Sequence, residues 1–373
     1  MTKIARIEAR TVRMPLDNPT AFSNRLVHDR FYTLVRVTGD DGVTGIGFCY
    51  GGNVGGTLPT IAVRDLIAPV MVGQDAHRVE GLWAEAYHSM LLHGRAGSAM
   101  RALSAVDVAL WDRNAREAGL PLHRFLGGYA DTSVPAYASG GYYLEGKGPD
   151  GVAAEMRAHV DNGFTAVKMK IGRLDPAADA ERLAAVRDAV GPDVVVMLDA
   201  NNAWSDLPTA LRSMALWEEY DPYWIEEPFS PDDIDLHAQL AERTPVLVAT
   251  GEIEYGRWRH QELLQKRAAA ILQTDAAVCG GITEFRRIAA MAAGFGVTVC
   301  PHWFHDLHVH LVASTPNARY VEHFGDDQVL NFRRLVDTQL TVRDGQLQLP
   351  TTPGLGFDLI DEVVDAHAVD AWQ

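Results

Sequence analysis

The sequence contains only three cysteines, Cys49, Cys279 and Cys300, and no two of them are close together in the chain. That spacing offers neither a CxxC zinc motif nor a disulfide framework. No run approaches the ~18 consecutive apolar residues of a membrane span, and the first residues lack the apolar centre of a signal peptide. These absences predict a cytoplasmic protein with reduced thiols.

Positive charge is also scarce, because 33 Lys and Arg stand against 49 Asp and Glu, which gives a formal net charge of −16. Nucleic acids and anionic membranes bind basic surfaces, so the sequence predicts neither as a partner. With 47% hydrophobic and 22% charged residues, the chain has the composition of a globular protein. Its 373 residues are enough for two or three domains.

The first part of the chain predicts an α+β domain over residues 1–128. Residues 4–14 and 32–37 alternate like strands, and a glycine-flanked turn leads into 43–50, which completes a hairpin. Helical periodicity then extends over residues 58–117. A glycine pair after this segment marks the domain boundary.

Beyond the boundary, short apolar runs alternate with segments long enough for helices. The runs cover residues 134–139, 166–171, 194–199, 223–226, 246–252, 271–275, 297–302 and 319–323. Strands separated by helices in this way predict an α/β fold, a (β/α) barrel over residues 129–325. No clear helix follows the last strand, so the barrel is a modified TIM barrel of the (β/α)7β type. We expect residues 326–373 to pack on the N-terminal capping domain and complete it.

Charged residues end seven consecutive predicted strands of the barrel. They are Lys168 and Lys170, Asp199, Glu226, Glu252, Asp275, His302 and Glu322. A single charged residue at a strand end is most often solvated. The carboxyl ends of all barrel strands, however, meet at one mouth, where the active sites of this fold lie. Like charges gathered there require pairing, a metal or a function, because an uncompensated cluster is costly.

Three of these carboxylates come from adjacent strands and would form one compact group: Asp199, Glu226 and Glu252. Hard oxygen donors that leave room for water and substrate suit Mg²⁺. Without a metal, carboxylates this close would repel each other and take up protons in part.

Two bases flank the carboxylate group. Lys170 shares a strand face with Lys168, whose ammonium group, together with the metal, would depress the pKa of Lys170. Asp275 stands with His302 and would fix its tautomer and stabilise its imidazolium form. A metal between these two bases suits abstraction of the α-proton of a carboxylate substrate, because the cation stabilises the enolate as it forms.

At these positions the chain resembles the enolase superfamily, specifically the mandelate racemase group. The resemblance extends over essentially the whole length, since residues 105–112 and 126–128 resemble the capping domain of that family. The order KxK, Asp-x-Asn, Glu-Glu-Pro, Gly-Glu, Asp, His, Glu follows the family's barrel. The spacings from Lys168 are 31 to Asp199 and then 27, 26, 23, 27 and 20.

The resemblance implies a role for each residue of the site. The ligands of Mg²⁺ would be Asp199, Glu226 and Glu252. Lys170 would be the base for one face of the substrate, and Lys168 would support the substrate carboxylate. His302, paired with Asp275, would be the acid or base on the opposite face.

Two further implications concern substrate binding and assembly. Glu322, in its protonated form, would donate a hydrogen bond to a carboxylate oxygen of the substrate. Asn201 would contact the substrate or the residues around it. Relatives in this group commonly form dimers or octamers, so the resemblance also implies a homo-oligomer.

The residues fix enolisation and leave the second half-reaction open. Bases on both faces permit racemisation or epimerisation of a 2-hydroxy acid by 1,1-proton transfer, and equally permit loss of a β-hydroxyl. The loops expected to cover the site are polar: Asp17, Asn18, Ser23, Asn24, Arg25, His28, Tyr142, Tyr143 and Lys147. Such groups recognise hydroxyls and favour a polyhydroxy acid, and dehydration of acid sugars is the more frequent activity in families like this one. We therefore predict a hydro-lyase of carbohydrate-acid catabolism, an acid-sugar dehydratase that yields a 2-keto-3-deoxy acid, with the racemase or epimerase as the alternative.

Two other interpretations carry less weight. A catalytically silent binding relative would have lost a ligand or a base, and none is missing from the sequence. A zinc site could use His302, His305, His308 and His310, but the family pattern assigns His302 as a base.

Overall fold

The computed structural model describes residues 1–22, 25–325 and 330–373. The β-strands are β1 Ile4–Phe22, β2 Arg25–Gly39, β3 Thr44–Gly52, β4 Ser133–Gly140, β5 Ala166–Lys170, β6 Val195–Asp199, β7 Pro222–Glu226, β8 Leu247–Thr250, β9 Ile271–Leu272, β10 Thr298–Val299, β11 Val321–His323, β12 Val342–Arg343 and β13 Gln346–Gln348. The α-helices are α1 Leu58–Ala62, α2 Ala68–Met71, α3 Val79–Ser89, α4 Gly97–Glu117, α5 Leu122–Phe125, α6 Pro149–Asp161, α7 Pro176–Val190, α8 Leu207–Trp217, α9 Ile234–Ala241, α10 Gly256–Gln265, α11 Ala276–Cys279, α12 Gly281–Gly294, α13 His305–Ala313 and α14 Asp361–Ala366. A π-helical turn covers Val63–Ile67, and 3-10 turns cover Glu218–Tyr220 and Asn331–Leu335.

The N-terminal domain is an antiparallel sheet, β1-β2-β3, with helices packed on one face. Its first two strands are longer than predicted, because residues 15–22 and 25–31 continue the hairpin where the sequence indicates a polar loop. The register shifts between Pro15 and Thr20, so the outer part of the hairpin is a separate ladder beyond this break. The predicted loop residues Ser23 and Asn24 lie outside the described residues, as do the side chains of Asn18 and Arg25.

Helix α4 lies directly on this sheet, and two glycines of β3 permit the close approach. A Cβ atom at Gly47 would lie 2.0 Å from the carbonyl oxygen of Ala105, and one at Gly45 would lie 2.2 Å from that of Ala109. Most of α4 is buried, including polar residues on its far side. One of them, Asp107, accepts hydrogen bonds from the backbone N and the hydroxyl of Thr283 at 2.9 and 2.6 Å. The helix therefore connects the N-terminal sheet to the barrel.

The barrel confirms the predicted α/β fold and its strand order. Strands β4 to β10 pair in parallel in sequence order, and β11 returns to pair with β4. A parallel bridge between Val299 and Ala318 closes the remaining side. A helix follows each strand from β4 to β10, and none of the described residues forms a barrel helix after β11, which is the (β/α)7β pattern.

The inward faces of the strands change from apolar to charged along the barrel axis. The interior is filled by Tyr137, Ala166, Met197, Trp224, Ala249, Ile271, Cys300 and Tyr320. Two residues further along β6 and β7, on the same face, come Asp199 and Glu226. On β5 the same step leads from Ala166 to Lys168 and then Lys170. The carboxyl ends of the strands are therefore lined with charge above an apolar core.

The C-terminal segment contacts both domains. Strand β13 pairs antiparallel with β4 and so extends the barrel sheet. The last residues return to β1, where the backbone N of Val369 donates to the carbonyl oxygen of Thr11 at 2.9 Å. Across the described ranges, every helix is too short or too polar to cross a lipid bilayer.

Candidate active site

The strand register places the first charged residues side by side. Lys170 is opposite Asp199 in the ladder of β5 and β6, and Asp199 is opposite Glu226 in that of β6 and β7. Parallel neighbours in register point to the same side of the sheet. All three side chains are almost completely buried.

Lys168 holds the buried carboxylates together at the floor of the mouth. Its Nζ donates to Oε1 and Oε2 of Glu226 at 2.6 and 2.8 Å and lies 2.7 Å from Oε1 of Glu322. Oδ2 of Asp199 is 3.6 Å away. Burial alone would lower the pKa of Lys168, but the attraction of Glu226 and Glu322 raises it well above its ordinary value. This ammonium group therefore remains charged and neutralises part of the cluster.

The predicted depression of the Lys170 pKa concerns the site with Mg²⁺ bound and stays a prediction. Burial and the neighbouring Lys168 both lower this pKa, as expected, but the direct contact with the carboxylate of Asp199 outweighs them and raises it. Nζ of Lys170 also lies 5.1 Å from the ring centre of Tyr142. The base property of Lys170 consequently depends on what else Asp199 binds.

The carboxylates show the mutual repulsion expected of an ion site. Burial, with the charge of Asp199 next, raises the pKa of Glu226 well above its ordinary value, although Lys168 opposes this. Oε2 of Glu252 is buried and has no hydrogen-bond partner. Among the described residues, no three His, Cys, Asp or Glu side chains are already arranged as a metal cage, because lysine ammonium groups occupy oxygens of Asp199 and Glu226. The donor types and the unpartnered oxygen nevertheless fit Mg²⁺.

His302 lies between two carboxylates on the opposite flank. Its Nδ1 is 3.1 Å from Oδ2 of Asp275, and its Nε2 is 3.4 Å from Oε1 of Glu252. Asp275 is itself fixed, because its Oδ1 accepts from the backbone N of Ala277 at 2.7 Å. Burial alone would lower the pKa of His302, but Glu252 and Asp275 raise it to about 9.

The predicted protonated form of Glu322 concerns the site with substrate bound and likewise stays a prediction. Oε1 of Glu322 contacts Lys168, and Oε2 accepts from the backbone N of Trp303 at 2.8 Å. Burial would raise its pKa, but Lys168 and His302 lower it to about 2. Glu322 is therefore a carboxylate that accepts hydrogen bonds and does not donate one.

Several backbone positions around the site are strained. Asn201, Glu227 and Trp303 have φ angles of 43°, 42° and 52°, in the left-handed region that residues with a Cβ atom rarely adopt. Such strain is often found at functional sites, where surrounding structure maintains it. The backbone N of Asn201 donates to Oδ1 of Asp199 at 2.9 Å, and Oδ1 of Asn201 is buried without a partner.

A cavity of about 330 Å³ lies above these residues, between the barrel mouth and the N-terminal domain. Its lining includes the predicted site residues Lys170, Asn201, Glu252, Asp275, His302 and Glu322. The other three, Lys168, Asp199 and Glu226, lie beneath the lining and contact it through their partners. The structure thus brings every predicted site residue to one place.

Other residues that line the cavity do not appear in the sequence-based prediction. The N-terminal domain contributes Arg30 of β2, Tyr50 of β3, Asn53 directly after β3, and Arg101 of α4. The barrel contributes Glu227. No local pattern marks the first four, because only the docking of the two domains brings them to the mouth. Glu227 is adjacent to Glu226 in sequence, and its positive φ turns it into the cavity.

The polar loop residues behave differently from the prediction. Tyr142 lines the cavity, whereas Tyr143 donates to Oδ1 of Asp179 at 2.7 Å outside it. The remaining described side chains of this group, Lys147, Asp17 and His28, are not part of the lining. Of the described side chains that suggested a polar cavity, only Tyr142 lines it, and the other polar groups of the lining come from elsewhere in the chain.

Two of the three histidines of α13, His308 and His310, are buried and do not support a zinc site. His308 accepts from the backbone N of Ala276 through Nε2 at 3.0 Å, and its Nδ1 is 2.7 Å from the carbonyl oxygen of Trp303. Both ring nitrogens of His310 are similarly bonded to backbone atoms. Neither ring has a nitrogen available for a metal.

Comparison with known proteins places this geometry among related enzymes. Residues 5–127 match the model of the mandelate racemase / muconate lactonizing enzyme N-terminal domain, and residues 151–363 match the enolase C-terminal domain-like model. The chain is 35% identical over 329 residues to the L-talarate/galactarate dehydratase of Salmonella typhimurium, which covers 88% of this chain and 80% of that protein. It is 32% identical over 371 residues to the 3,6-anhydro-alpha-L-galactonate cycloisomerase of Streptomyces coelicolor, covering 98% and 99%. The structure of L-talarate dehydratase from Polaromonas sp. JS666, complexed with Mg and L-glucarate, matches with a TM-score of 0.92 at 34% identity, covering 100% and 99% of the two chains.

Proposed function

Because the chain belongs to the mandelate racemase and muconate lactonizing enzyme family, we propose that it is a magnesium-dependent acid-sugar dehydratase. The observation that carries the proposal is the cavity in which Lys170 and the His302–Asp275 pair stand on either side of the carboxylate group. The Salmonella relative is named a dehydratase of acid sugars. The product would be a 2-keto-3-deoxy acid.

Three carboxylates would hold the metal: Asp199, Glu226 and Glu252. Two of them are neighbours in the strand ladder, and the third has a buried oxygen without a partner. When bound, Mg²⁺ polarises the substrate carboxylate and stabilises the negative charge that develops on it. Binding would draw Asp199 and Glu226 away from the lysine ammonium groups that now contact them.

Lys170 would remove the α-proton. Its ammonium group lies at the cavity wall against the ring of Tyr142. Removal of Asp199 from direct contact would allow Lys168 and burial to lower the pKa of Lys170, as a base requires. Lys168 and Glu322 would lie beneath the substrate carboxylate and orient it.

His302 would donate the proton that the leaving group needs. Asp275 binds its Nδ1 and stabilises the imidazolium form, so that Nε2 faces the cavity with a proton. The α C–H bond breaks, its electron pair forms the C=C bond, and the β C–O bond breaks as the hydroxyl leaves as water. The enol then tautomerises to the 2-keto acid, which balances the reaction as loss of one water.

Cycloisomerisation is the second candidate, because the Streptomyces coelicolor cycloisomerase matches almost end to end. Racemisation requires the same two groups on opposite faces and differs only in the fate of the enolate. One panel experiment separates the three. Purified protein with Mg²⁺ in D₂O is incubated with aldonates and aldarates, and products are monitored by a carbonyl assay and by NMR.

A 2-keto acid supports dehydration, and deuterium at the α-carbon without a carbonyl product supports racemisation. A cyclic or ring-opened isomer of the same mass supports cycloisomerisation. Chelation of the metal should stop the reaction, and added Mg²⁺ should restore it. Absence of both a 2-keto acid and α-proton exchange with every acid, in folded protein with Mg²⁺, would contradict the proposal.

Two further proposals concern the oligomeric state and the cellular location of the protein. We propose a homo-oligomer, which light scattering coupled to size-exclusion chromatography would test. We also propose a cytoplasmic location, which agrees with three buried cysteines that are all free thiols. Fractionation of the producing cells would test it.

A further inference from the structure

The lining of the cavity combines charged groups from both domains. The barrel contributes carboxylates, among them Glu227, Glu252 and Glu322, whereas the N-terminal domain contributes two guanidinium groups, Arg30 and Arg101. The chain as a whole has a net charge of −16, so two arginines at one cavity wall are a local exception. The dehydration proposed above uses neither of them.

Arg101 extends from α4, and its guanidinium carbon lies 5.9 Å from the ring centre of Tyr255. Its Nε donates to the hydroxyl of Tyr255 and its Nη1 donates to the carbonyl oxygen of Tyr50, both at 3.3 Å. These distances are at the long end for N–H···O hydrogen bonds. Nη2 makes no hydrogen bond to the part of the chain that the structure describes, and within the same part no carboxylate oxygen lies within 4 Å of the guanidinium group.

Arg30 adds positive charge to the same wall. Its guanidinium carbon lies 5.5 Å from the ring centre of Tyr50 and 5.3 Å from that of Trp303. Tyr50 therefore contacts both arginines, one through its ring and the other through its carbonyl oxygen. Packing between aromatic rings fixes a planar cation at low entropic cost.

We infer that the substrate is a diacid sugar, an aldarate, and that Arg101 binds its distal carboxylate while Arg30 contributes to the positive potential there. The inference rests on the proposed function, which places the reacting carboxylate at the barrel end of the cavity. A guanidinium group binds a carboxylate through two parallel N–H···O bonds. An aldonate would present a neutral hydroxymethyl group instead and leave this cation without an anion.

The relatives alone do not decide between the two acid classes. L-Talarate and galactarate, in the name of one relative, are diacids, whereas the 3,6-anhydro-alpha-L-galactonate of another is a monoacid. The cavity volume of about 330 Å³ is within the range of small-molecule sites. The guanidinium group of Arg101 in the lining is what favours a diacid over a monoacid.

The test compares six-carbon aldarates with aldonates of the same configuration, using wild-type enzyme with Mg²⁺. For the preferred configuration we expect kcat/KM for the diacid to exceed that for the monoacid by about 100-fold, the size expected of a charged hydrogen-bonded pair. Turnover of aldonates with equal or higher kcat/KM would overturn the inference and leave the dehydratase proposal intact. Absence of both a 2-keto acid and α-proton exchange with either class would overturn both.

Variants identify the residue responsible. Arg101→Gln should reduce the ratio of diacid to monoacid kcat/KM to near one, mainly through KM, and Arg101→Lys should restore part of it. Arg95→Gln is the matched control, because Arg95 is an exposed arginine six residues away that does not line the cavity. If Arg101→Gln leaves the ratio unchanged, whether kcat/KM stays constant or falls equally for both acids, the assignment is overturned. If Arg101→Gln does not fold, the wild-type comparison still decides the substrate class.

Discussion

At the scale of single residues, the site pairs two groups with different expected roles. Lys170 and His302 both line the cavity, and each has a carboxylate partner, Asp199 and Asp275. The first partner is a proposed metal ligand, whereas the second has its other oxygen fixed by the backbone N of Ala277. A lysine freed by metal binding suits proton abstraction, and a permanently paired histidine suits proton donation.

Replacement of each group should therefore interrupt a different step. Lys170→Ala should abolish both dehydration and α-proton exchange, and His302→Asn should abolish dehydration while exchange in D₂O continues. Each loss of dehydration should be about 10³-fold, within the range for general acid–base groups. Lys266→Ala, directly after α10, is the control and should retain both activities. Continued dehydration in either site variant would show that the assignment of roles is wrong.

The protonation of His302 can be measured directly. Its pKa is about 9 because Glu252 and Asp275 outweigh burial, so Glu252→Gln should move the pKa toward the ordinary value of 6.5 in metal-free protein. Histidine NMR titration would show this shift. Glu262→Gln, whose carboxylate pairs with surface cations, should leave the pKa unchanged. A pKa still near 9 in Glu252→Gln would contradict the electrostatic explanation.

The same pKa predicts how stability depends on pH. His302 binds its proton more tightly when folded, so its contribution to stability is complete below about 6.5 and is lost as the pH rises through about 9.

The identities of the site residues were largely predictable because the fold imposes them. Residues at the carboxyl ends of parallel barrel strands must converge, so strand ends alone locate Asp199 and His302. Protonation states were not predictable in the same way. Direct contacts at less than 4 Å raise the pKa of Lys170 and lower that of Glu322, and sequence does not give such distances.

At the scale of secondary structure, the elements that could be predicted were those with a regular hydrophobic pattern. The eight apolar runs of the barrel all correspond to strands β4 to β11, because each run is short, buried and bounded by helical segments. The outer part of the β1–β2 hairpin was missed, because residues 15–31 contain polar and turn-forming types such as Pro15 and Asp17. The outer parts of β1 and β2 form strands because they pair with each other, and neither has the alternating hydrophobic pattern that would predict a strand.

The contact between β3 and α4 is the tightest element packing that bears on the cavity. Gly47→Ala would place a Cβ atom 2.0 Å from the carbonyl oxygen of Ala105, so α4 would have to move. We expect a loss of about 1–3 kcal/mol in the free energy of unfolding, as for other overpacked cores, measured by urea denaturation. Gly294→Ala is the control, because nothing lies within 4 Å of its added Cβ atom. Equal stability of both variants would show that the sheet can accommodate the methyl group.

At the scale of the whole molecule, the two domains divide the work between them. The barrel supplies the proposed catalytic and metal-binding groups, and the N-terminal domain supplies Arg101 and Tyr50 to the lining of the same cavity. The bonds from Asp107 on α4 to Thr283 on α12 join them. This arrangement could not be predicted from the sequence, because Asp107 lies in a helix whose pattern shows only that it is buried.

Loss of this connection should affect substrate binding as well as stability. Asp107→Ala would leave the backbone N and the hydroxyl of Thr283 without an acceptor, which we expect to cost about 1–3 kcal/mol. Because α4 also carries Arg101, KM should rise more than kcat falls. In a double-mutant cycle with Thr283→Ala, the two effects should be strongly non-additive.

Asp206→Ala is the control variant for Asp107→Ala. Asp206 accepts from the backbone N and the hydroxyl of Thr209 at 2.8 Å each, the same pair of bonds, but within a single barrel helix. Its loss should cost about 1 kcal/mol, as for other helix caps, and leave KM unchanged because no element moves against another. A rise in KM of the same size in both variants would show that general loosening, and not the position of α4 over the barrel mouth, controls substrate binding.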